Sequence, residues 1–206
     1  KPGVVIVRKL LPSQSHLYRV AAARDYFVRL ALEQGATDLE LVALDPGGRP
    51  VRTVHALESG LESGSFITQL SGTFQLSVRS LQPMSRAAVY RLKIAELRPA
   101  RPGDETRTAA EKALFEGKRL LSGRTPGSLR ESLQKTEMAL SLWRALGDTR
   151  GQALALDQAG RIRSELGEKG EALKSFLQAL GLWKSAADLH RRVGSLVQVG
   201  TIYRDL

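Results

Sequence analysis

The segment from Gly127 to Leu206 is written twice, forty residues apart, and this duplication restricts the possible folds more than any other feature of the chain. Under that shift Gly127, Glu131, Leu133, Ala139, Leu140, Leu142, Trp143, Asp148, Leu156, Gln158, Gly160, Ile162 and Leu166 each meet an identical residue, thirteen of forty aligned pairs. The matches are mostly apolar or small and recur at helical spacing. A fixed period between about 20 and 50 residues marks a stacked-repeat architecture, in which each unit buries its apolar side against a neighbour.

The rest of the chain has a different texture. From Val4 to Leu97 the apolar residues follow period two: Phe74, Leu76 and Val78 alternate with polar neighbours, as do Tyr90, Leu92 and Ile94. That is the signature of a half-buried strand. Comparable segments run over Val4 to Leu10, His16 to Ala21, Tyr26 to Leu32, Asp38 to Leu44, Val51 to His55 and Ser65 to Leu70. Turn residues separate them, at Pro12-Ser13, Gln34-Gly35, Asp45-Pro46-Gly47-Gly48, Ser63-Gly64 and Ser71-Gly72. About eight short strands with no helical stretch between them predict an antiparallel β-sandwich, since a lone sheet would leave an apolar face in water.

At Arg98-Pro99-Ala100-Arg101-Pro102-Gly103 the alternation stops, and Asp104-Glu105-Thr106 offers an N-cap and first-turn acids. Helices are expected over Glu105 to Leu121, Leu129 to Leu146, Arg150 to Leu166, Lys169 to Ala187 and Leu189 to Leu206, with breaks at 122–127, Gly147-Asp148 and Gly167. Loops this short force antiparallel neighbours. The expected division is therefore a sandwich over 1–98, a linker over 99–104 and about two and a half helical repeats over 105–206.

Composition narrows the function classes. The chain has 206 residues, 42% of them apolar, enough for one or two real cores. It contains no cysteine, which excludes disulfides, thiolate metal sites and a cysteine nucleophile within it. No apolar run approaches the ~18 to 20 residues of a membrane helix. The net charge of +10 is spread over both parts: 13 Lys and Arg against 8 Asp and Glu through Arg98, and 18 against 13 after it. With aromatics at 5% and no basic cluster longer than His190-Arg191-Arg192, this reads as a solvated basic surface with no nucleic-acid site.

A search for chemistry returns mainly structural readings. His16, His55 and His190 are scattered, and no phosphate loop, nucleophile elbow or His-Glu-x-x-His helix is present. No catalytic residue, metal site or cofactor is therefore expected. Asp38, Glu40 and Asp45 could gather around calcium, although Asp45 reads more simply as a turn cap. Trp143 and Trp183 hold equivalent repeat positions and are expected in the helical core.

From Leu156 onward, the string Leu156, Ala159-Gly160, Gly167, Ala172, Phe176, Ala179-Leu180 is similar to the small-and-large signature of the tetratricopeptide repeat, and Leu196, Val199-Gly200 and Tyr203 begin it again. The extended form with an Ala-Leu-x-Leu-Trp-x-x-x-x-Asp stretch resembles repeats of bacterial proteins that end in a caspase-like CHAT protease domain. The preceding pair departs from the signature, with Ser132 and Thr136 where Ala172 and Phe176 stand, as a capping unit would. Asp38-Leu39-Glu40-Leu41, Leu44-Asp45-Pro46-Gly47-Gly48 and the segment 71–78 resemble bacterial pre-peptidase C-terminal domains, which are secreted β-sandwiches attached to proteases.

The resemblance implies a non-catalytic scaffolding region of a larger bacterial protein, periplasmic or secreted by the sandwich, with a cytoplasmic location left open. A chain that begins without Met and ends inside a repeat is expected to be part of a longer protein. The expected partner is a protein or peptide, and the last repeat could also self-associate. In the repeat family the first helix of each pair lines a groove; carried over, its exposed positions are Asp157, Gln158, Arg161 and Glu165, then Val197, Gln198, Thr201 and Arg204. The competing reading is a carbohydrate- or calcium-binding sandwich with a helical spacer.

Overall fold

Among the described residues, eight strands and five helices follow in the order the two textures predict. A computed structural model of the chain describes residues 3–34, 38–56, 60–81 and 87–204, and the side chains of 55, 56, 60 and 61 are not among those described. The Gly35 turn and the side chain of His55 therefore lie outside the described residues. The strands are β1 (Val5–Leu10), β2 (Ser15–Ala22), β3 (Tyr26–Gln34), β4 (Leu39–Leu44), β5 (Pro50–Ala56), β6 (Gly60–Ile67), β7 (Gly72–Ser80) and β8 (Ala88–Pro99). The helices are α1 (Asp104–Leu121), α2 (Pro126–Ala145), α3 (Thr149–Glu165), α4 (Lys169–Ser185) and α5 (Leu189–Arg204). Two compact units divide them, Lys1–Thr108 and Ala109–Leu206.

In the first unit the strands form two antiparallel sheets, ordered β1-β8-β3-β6 and β2-β7-β4-β5. Every connection switches sheets except the β4–β5 hairpin, which is the winding of a jelly roll. Alternation does the folding: Phe74, Leu76 and Val78 from one sheet meet Leu30, Leu32, Tyr90 and Leu92 from the other in a single buried cluster. The β4–β5 turn closes where Asp45-Pro46-Gly47-Gly48 predicts it. The Asp45 carboxylate accepts the Arg49 N–H at 2.9 Å, and Gly48 supplies φ +81°.

Two local readings are corrected. Ser63-Gly64 is not a turn but lies inside β6, because a Cβ on Gly64 would sit 2.6 Å from Arg52 Nε and 2.7 Å from Val54 Cγ2. The glycine there admits side chains of β5, so a packing glycine imitates a turn signal in sequence. Asp104 does not cap α1. Its carboxylate takes two bonds from Arg98, at 2.6 and 3.0 Å, and the Arg101 N–H at 2.7 Å, which pins the end of β8 to the first turn of the helix. The Arg98 guanidinium also lies 4.6 Å from the centre of the buried Phe27 ring.

In the second unit α2 packs against α3, α3 against α4 and α4 against α5, and the turns joining these helices repeat. At Leu146-Gly147-Asp148, Leu166-Gly167-Glu168 and Ala186-Ala187-Asp188 the chain closes with the same pair of bonds. Gly147 N–H reaches Arg144 O and Asp148 N–H reaches Trp143 O, matched by Gly167 to Ser164 and Glu168 to Arg163, then by Ala187 to Lys184 and Asp188 to Trp183. This double closure is a Schellman motif, and it recurs every twenty residues. The left-handed position carries φ +64° at Gly147, +80° at Gly167 and +53° at Ala187. Asp148 and Asp188, forty residues apart, each cap the next helix, accepting the N–H of Gly151 at 2.7 Å and of Arg191 at 3.1 Å.

Candidate functional site

The duplicated residues do duplicated packing work. Trp143 and Trp183 are 3% and 0% exposed, and Ala139 and Ala179 are both fully buried beside them. Small residues make room for the large ones: a Cβ on Gly151 would fall on the Trp143 indole, 2.6 Å from Cγ, and one on Gly160 would meet the Phe176 ring edge at 2.8 Å. Leu156 and Phe176 are buried as the packing pattern requires. Tyr203, where the repeat signature begins again, is 61% exposed on α5, which packs against α4. Gly200, forty residues after Gly160, has no atom of the described residues within 4 Å of where its Cβ would stand.

Three polar clusters tie the helices together. Arg163 on α3 donates to Ser175 Oγ of α4 at 2.6 Å and to Glu137 of α2 at 2.9 Å. Where the first helix pair departs from the repeat signature, buried Ser132 donates to Gly117 O at 2.7 Å and buried Thr136 receives Gln158 Nε2 at 2.9 Å. Gly117 permits this, because a Cβ there would lie 2.7 Å from both Thr136 Oγ1 and Gln158 Nε2. A hydrogen-bonded cluster thus replaces the apolar knob that Phe176 supplies one repeat later.

The third cluster centres on Asp157. Its carboxylate accepts Trp183 Nε1 at 2.7 Å and Ser195 Oγ at 2.6 Å, joining α3 to α4 and α5. Burial pushes its pKa above the usual carboxylate range, against the lowering effect of those two bonds and of Arg161 and Arg191.

These ties revise the expected groove. Asp157 and Gln158 do not line an open surface; the first faces the next helix pair and the second reaches back to Thr136 and to Leu114 O. Arg161 and Glu165 are exposed on α3, and Arg204 is exposed on α5. Gln198 and Thr201 are half-buried, with the Thr201 hydroxyl donating to Val197 O at 3.0 Å. Val197 is 59% exposed, and as the forty-residue counterpart of Asp157 it belongs to the side on which helix pairs stack. Exposed Arg161, Glu165 and Arg204, with half-buried Gln198 and Thr201, remain as the accessible set. A helical wheel separates faces but not what stands opposite them, so an indole N–H needing an acceptor at Trp183 was the one sequence signal for Asp157.

The sandwich holds a cluster that sequence reading missed. His16 Nδ1 lies 2.7 Å from the hydroxyl of Tyr90, which is 2.5 Å from that of Tyr18, and the His16 and Tyr90 rings are 5.8 Å apart. Burial, then the hydrogen bond with Tyr18, pushes the Tyr90 phenol well above its usual pKa, so it stays protonated. Beside it a slot of about 130 Å³ opens between the sheets, lined by Val4, Ile6, Val20, Leu76, Leu92 and Ile94 with Tyr18 and Arg19. Glu40 is paired with Arg79 at 2.6 Å and Asp45 serves its turn, so these two proposed calcium ligands are engaged elsewhere. Among the described residues no group of three or more His, Asp or Glu gathers as a metal site, and no helix is long and apolar enough to cross a membrane.

No family model and no curated protein matches the chain. Solved structures do show similarity. The periplasmic inhibitor of g-type lysozyme from Aeromonas hydrophila aligns over 44% of this chain and 83% of its own, at 11% identity and a TM-score of 0.33. A designed double-stranded β-helix aligns over 44% and 96%, at 13% identity and a TM-score of 0.31. A CBM4 structure aligns over 42% and 61%, at 11% identity and a TM-score of 0.31.

Proposed function

We propose that the chain is a non-catalytic protein-interaction region whose helices act as extended tetratricopeptide-like repeats, of the kind that bacterial CHAT-type proteases carry ahead of the protease. The observation that supports it most is the forty-residue recurrence of a whole packing unit: Schellman turn, aspartate cap, buried tryptophan and helix glycine together. Recurrence at that level makes each helix pair a copy of one module, and stacked modules present side chains at fixed intervals for recognising a peptide. The recognising residues in this reading are Arg161, Glu165, Gln198, Thr201 and Arg204. Their mixed charge selects a partner through ion pairs and hydrogen bonds at exposed positions, so binding weakens as salt rises. Asp157 and Gln158 serve as positioning residues that fix the helices carrying them.

Peptide-display selection on the immobilised chain tests this reading. An enriched motif whose affinity drops about tenfold, some 1.4 kcal/mol, in Arg161→Ala and in Thr201→Arg supports it. No enriched motif, or binding indifferent to both changes, contradicts it.

A further inference from the structure

The outer side of α5 carries an apolar stripe. Leu189, Val193, Leu196, Gly200 and Tyr203 follow one another at steps of four, three, four and three, and the four with large side chains are 69%, 52%, 46% and 61% exposed. Val197, 59% exposed, widens the stripe, while Ser195 and Ile202 on the opposite side of the helix are buried. A three-four stripe of this kind is the seam along which two helices pack at a shallow angle.

The chain also contains the occupied version of this surface. Forty residues earlier, Leu156 is buried and Gly160 is covered by α4, whose Phe176 ring fills the space a Cβ would take. On α5 the equivalent Leu196 is half-exposed and Gly200 is open. The occupant that fits is therefore an antiparallel helix with a large apolar side chain opposite Gly200. Where α3 has Asp157, α5 has Val197, so this helix meets an apolar contact at that position.

Charge decides between a second copy and a different partner. From Leu189 to Arg204, α5 carries His190, Arg191, Arg192 and Arg204 and no acidic residue. Arg192 lies along one edge of the stripe, with His190 and Arg204 along the other. Two copies of α5 packed seam to seam would face like charges along both edges, whereas acidic residues flanking the partner's seam would pair with them.

We infer that α5 docks an acidic amphipathic helix that seats a large apolar residue on Gly200. This surface shares Arg204 with the peptide groove at one edge, while Arg161 and Thr201 lie outside it, so its test, which uses Leu196 and Gly200, stands apart from that of the groove. The probe is a fluorescein-labelled peptide with the sequence of α4, Lys169–Ser185, carrying Lys169→Glu, Lys174→Glu and Lys184→Glu, titrated into the full chain by anisotropy at low salt. The expected results are saturable binding, a loss of about tenfold in the protein variants Leu196→Asp and Gly200→Leu, and a similar loss when the peptide carries Phe176→Ala. The unmodified, lysine-bearing α4 peptide should bind several-fold more weakly. Both protein changes fall on exposed positions, and unchanged circular dichroism confirms that the variants are folded. No binding of the acidic peptide, equal binding to the Leu196→Asp variant, or a loss in Arg161→Ala as large as in Gly200→Leu would overturn the assignment. So would a dimer of the protein alone that Leu196→Asp dissociates, because the occupant would then be a second copy.

Discussion

Gly160 and Gly200 occupy the same position in successive copies of the duplicated segment, and the same substitution should stabilise at Gly200 but not at Gly160. Replacing glycine with alanine inside a helix gains about 1 kcal/mol from backbone entropy. At Gly200 nothing among the described residues lies within 4 Å of the new methyl, so the whole gain is kept. At Gly160 the methyl would stand 2.8 Å from Phe176 Cε1 and Cζ, where carbon atoms settle at about 3.5–4.0 Å. The ring would have to retreat by most of an ångström, yet Phe176 is 0% exposed and has nowhere free to go. Overpacking of this kind costs about 1–3 kcal/mol, which leaves Gly160→Ala neutral to about 2 kcal/mol destabilised after the helix gain. The two variants should differ by about 1–3 kcal/mol. Both tryptophans of the chain lie in the helical unit, so urea melts followed by tryptophan fluorescence report on that unit alone. Phe176→Leu should recover part of the loss in the Gly160→Ala background and none in the Gly200→Ala background. Equal shifts of the same sign in both single variants would refute the packing argument.

Other consequences follow from the turns and the carboxylates. Ala187 holds φ +53° where its two counterparts are glycine, so Ala187→Gly should raise the stability of the helical unit by about 1 kcal/mol in the same melts. Asp157 has a raised pKa, so its folded form keeps a proton longer than the unfolded chain; stability should fall as pH rises from about 3.8 through the raised value and then level off. Asp157→Asn, which can still accept from Trp183, should lose that decline, and an unchanged pH profile would count against the buried carboxylate. Asp104 shows the reverse sign: the hydrogen bonds from Arg98 lower its pKa, so its contribution is complete above pH 3.8 and disappears as pH falls through the lowered value. Asp104→Asn should cost the sandwich about 1–3 kcal/mol at neutral pH, measured by far-ultraviolet circular dichroism at the β-sheet minimum.

The parts of the fold that period alone determines were legible in the sequence. Strands β1 to β5 and β7 and all five helices stand within a few residues of their expected positions, because apolar residues recur at strand or helix period often enough in each to outweigh local noise. Errors fall where one residue type serves two purposes. Gly64 looks like a turn but clears space for Arg52 and Val54, and β6 accordingly begins at Gly60, before the expected Ser65. Gly127 looks like a break but lies within α2, which Thr125 and Ser128 start by capping each other at 3.1 Å in both directions. Asp104 looks like a cap and is Arg98's partner. In the candidate site helical spacing distributed the residues over α3 and α5 but did not show which polar residues were already engaged: Asp157 and Gln158 face partners 38 and 22 residues away in Ser195 and Thr136. Those contacts depend on the tertiary stacking of helices, which helical periodicity does not encode.

The central claim is that the duplicated sequence builds duplicated packing, occupied in the first copy and open in the second. Aromatic ring currents read this directly through the Hα resonances of Gly151, Gly160 and Gly200. The account predicts Hα shifts displaced from ordinary helical values, with nuclear Overhauser contacts to the Trp143 ring for Gly151 and to the Phe176 ring for Gly160, and an undisplaced Gly200 without aromatic contacts. Matching shifts at Gly160 and Gly200, or no contact between Gly160 and the Phe176 ring, would contradict it.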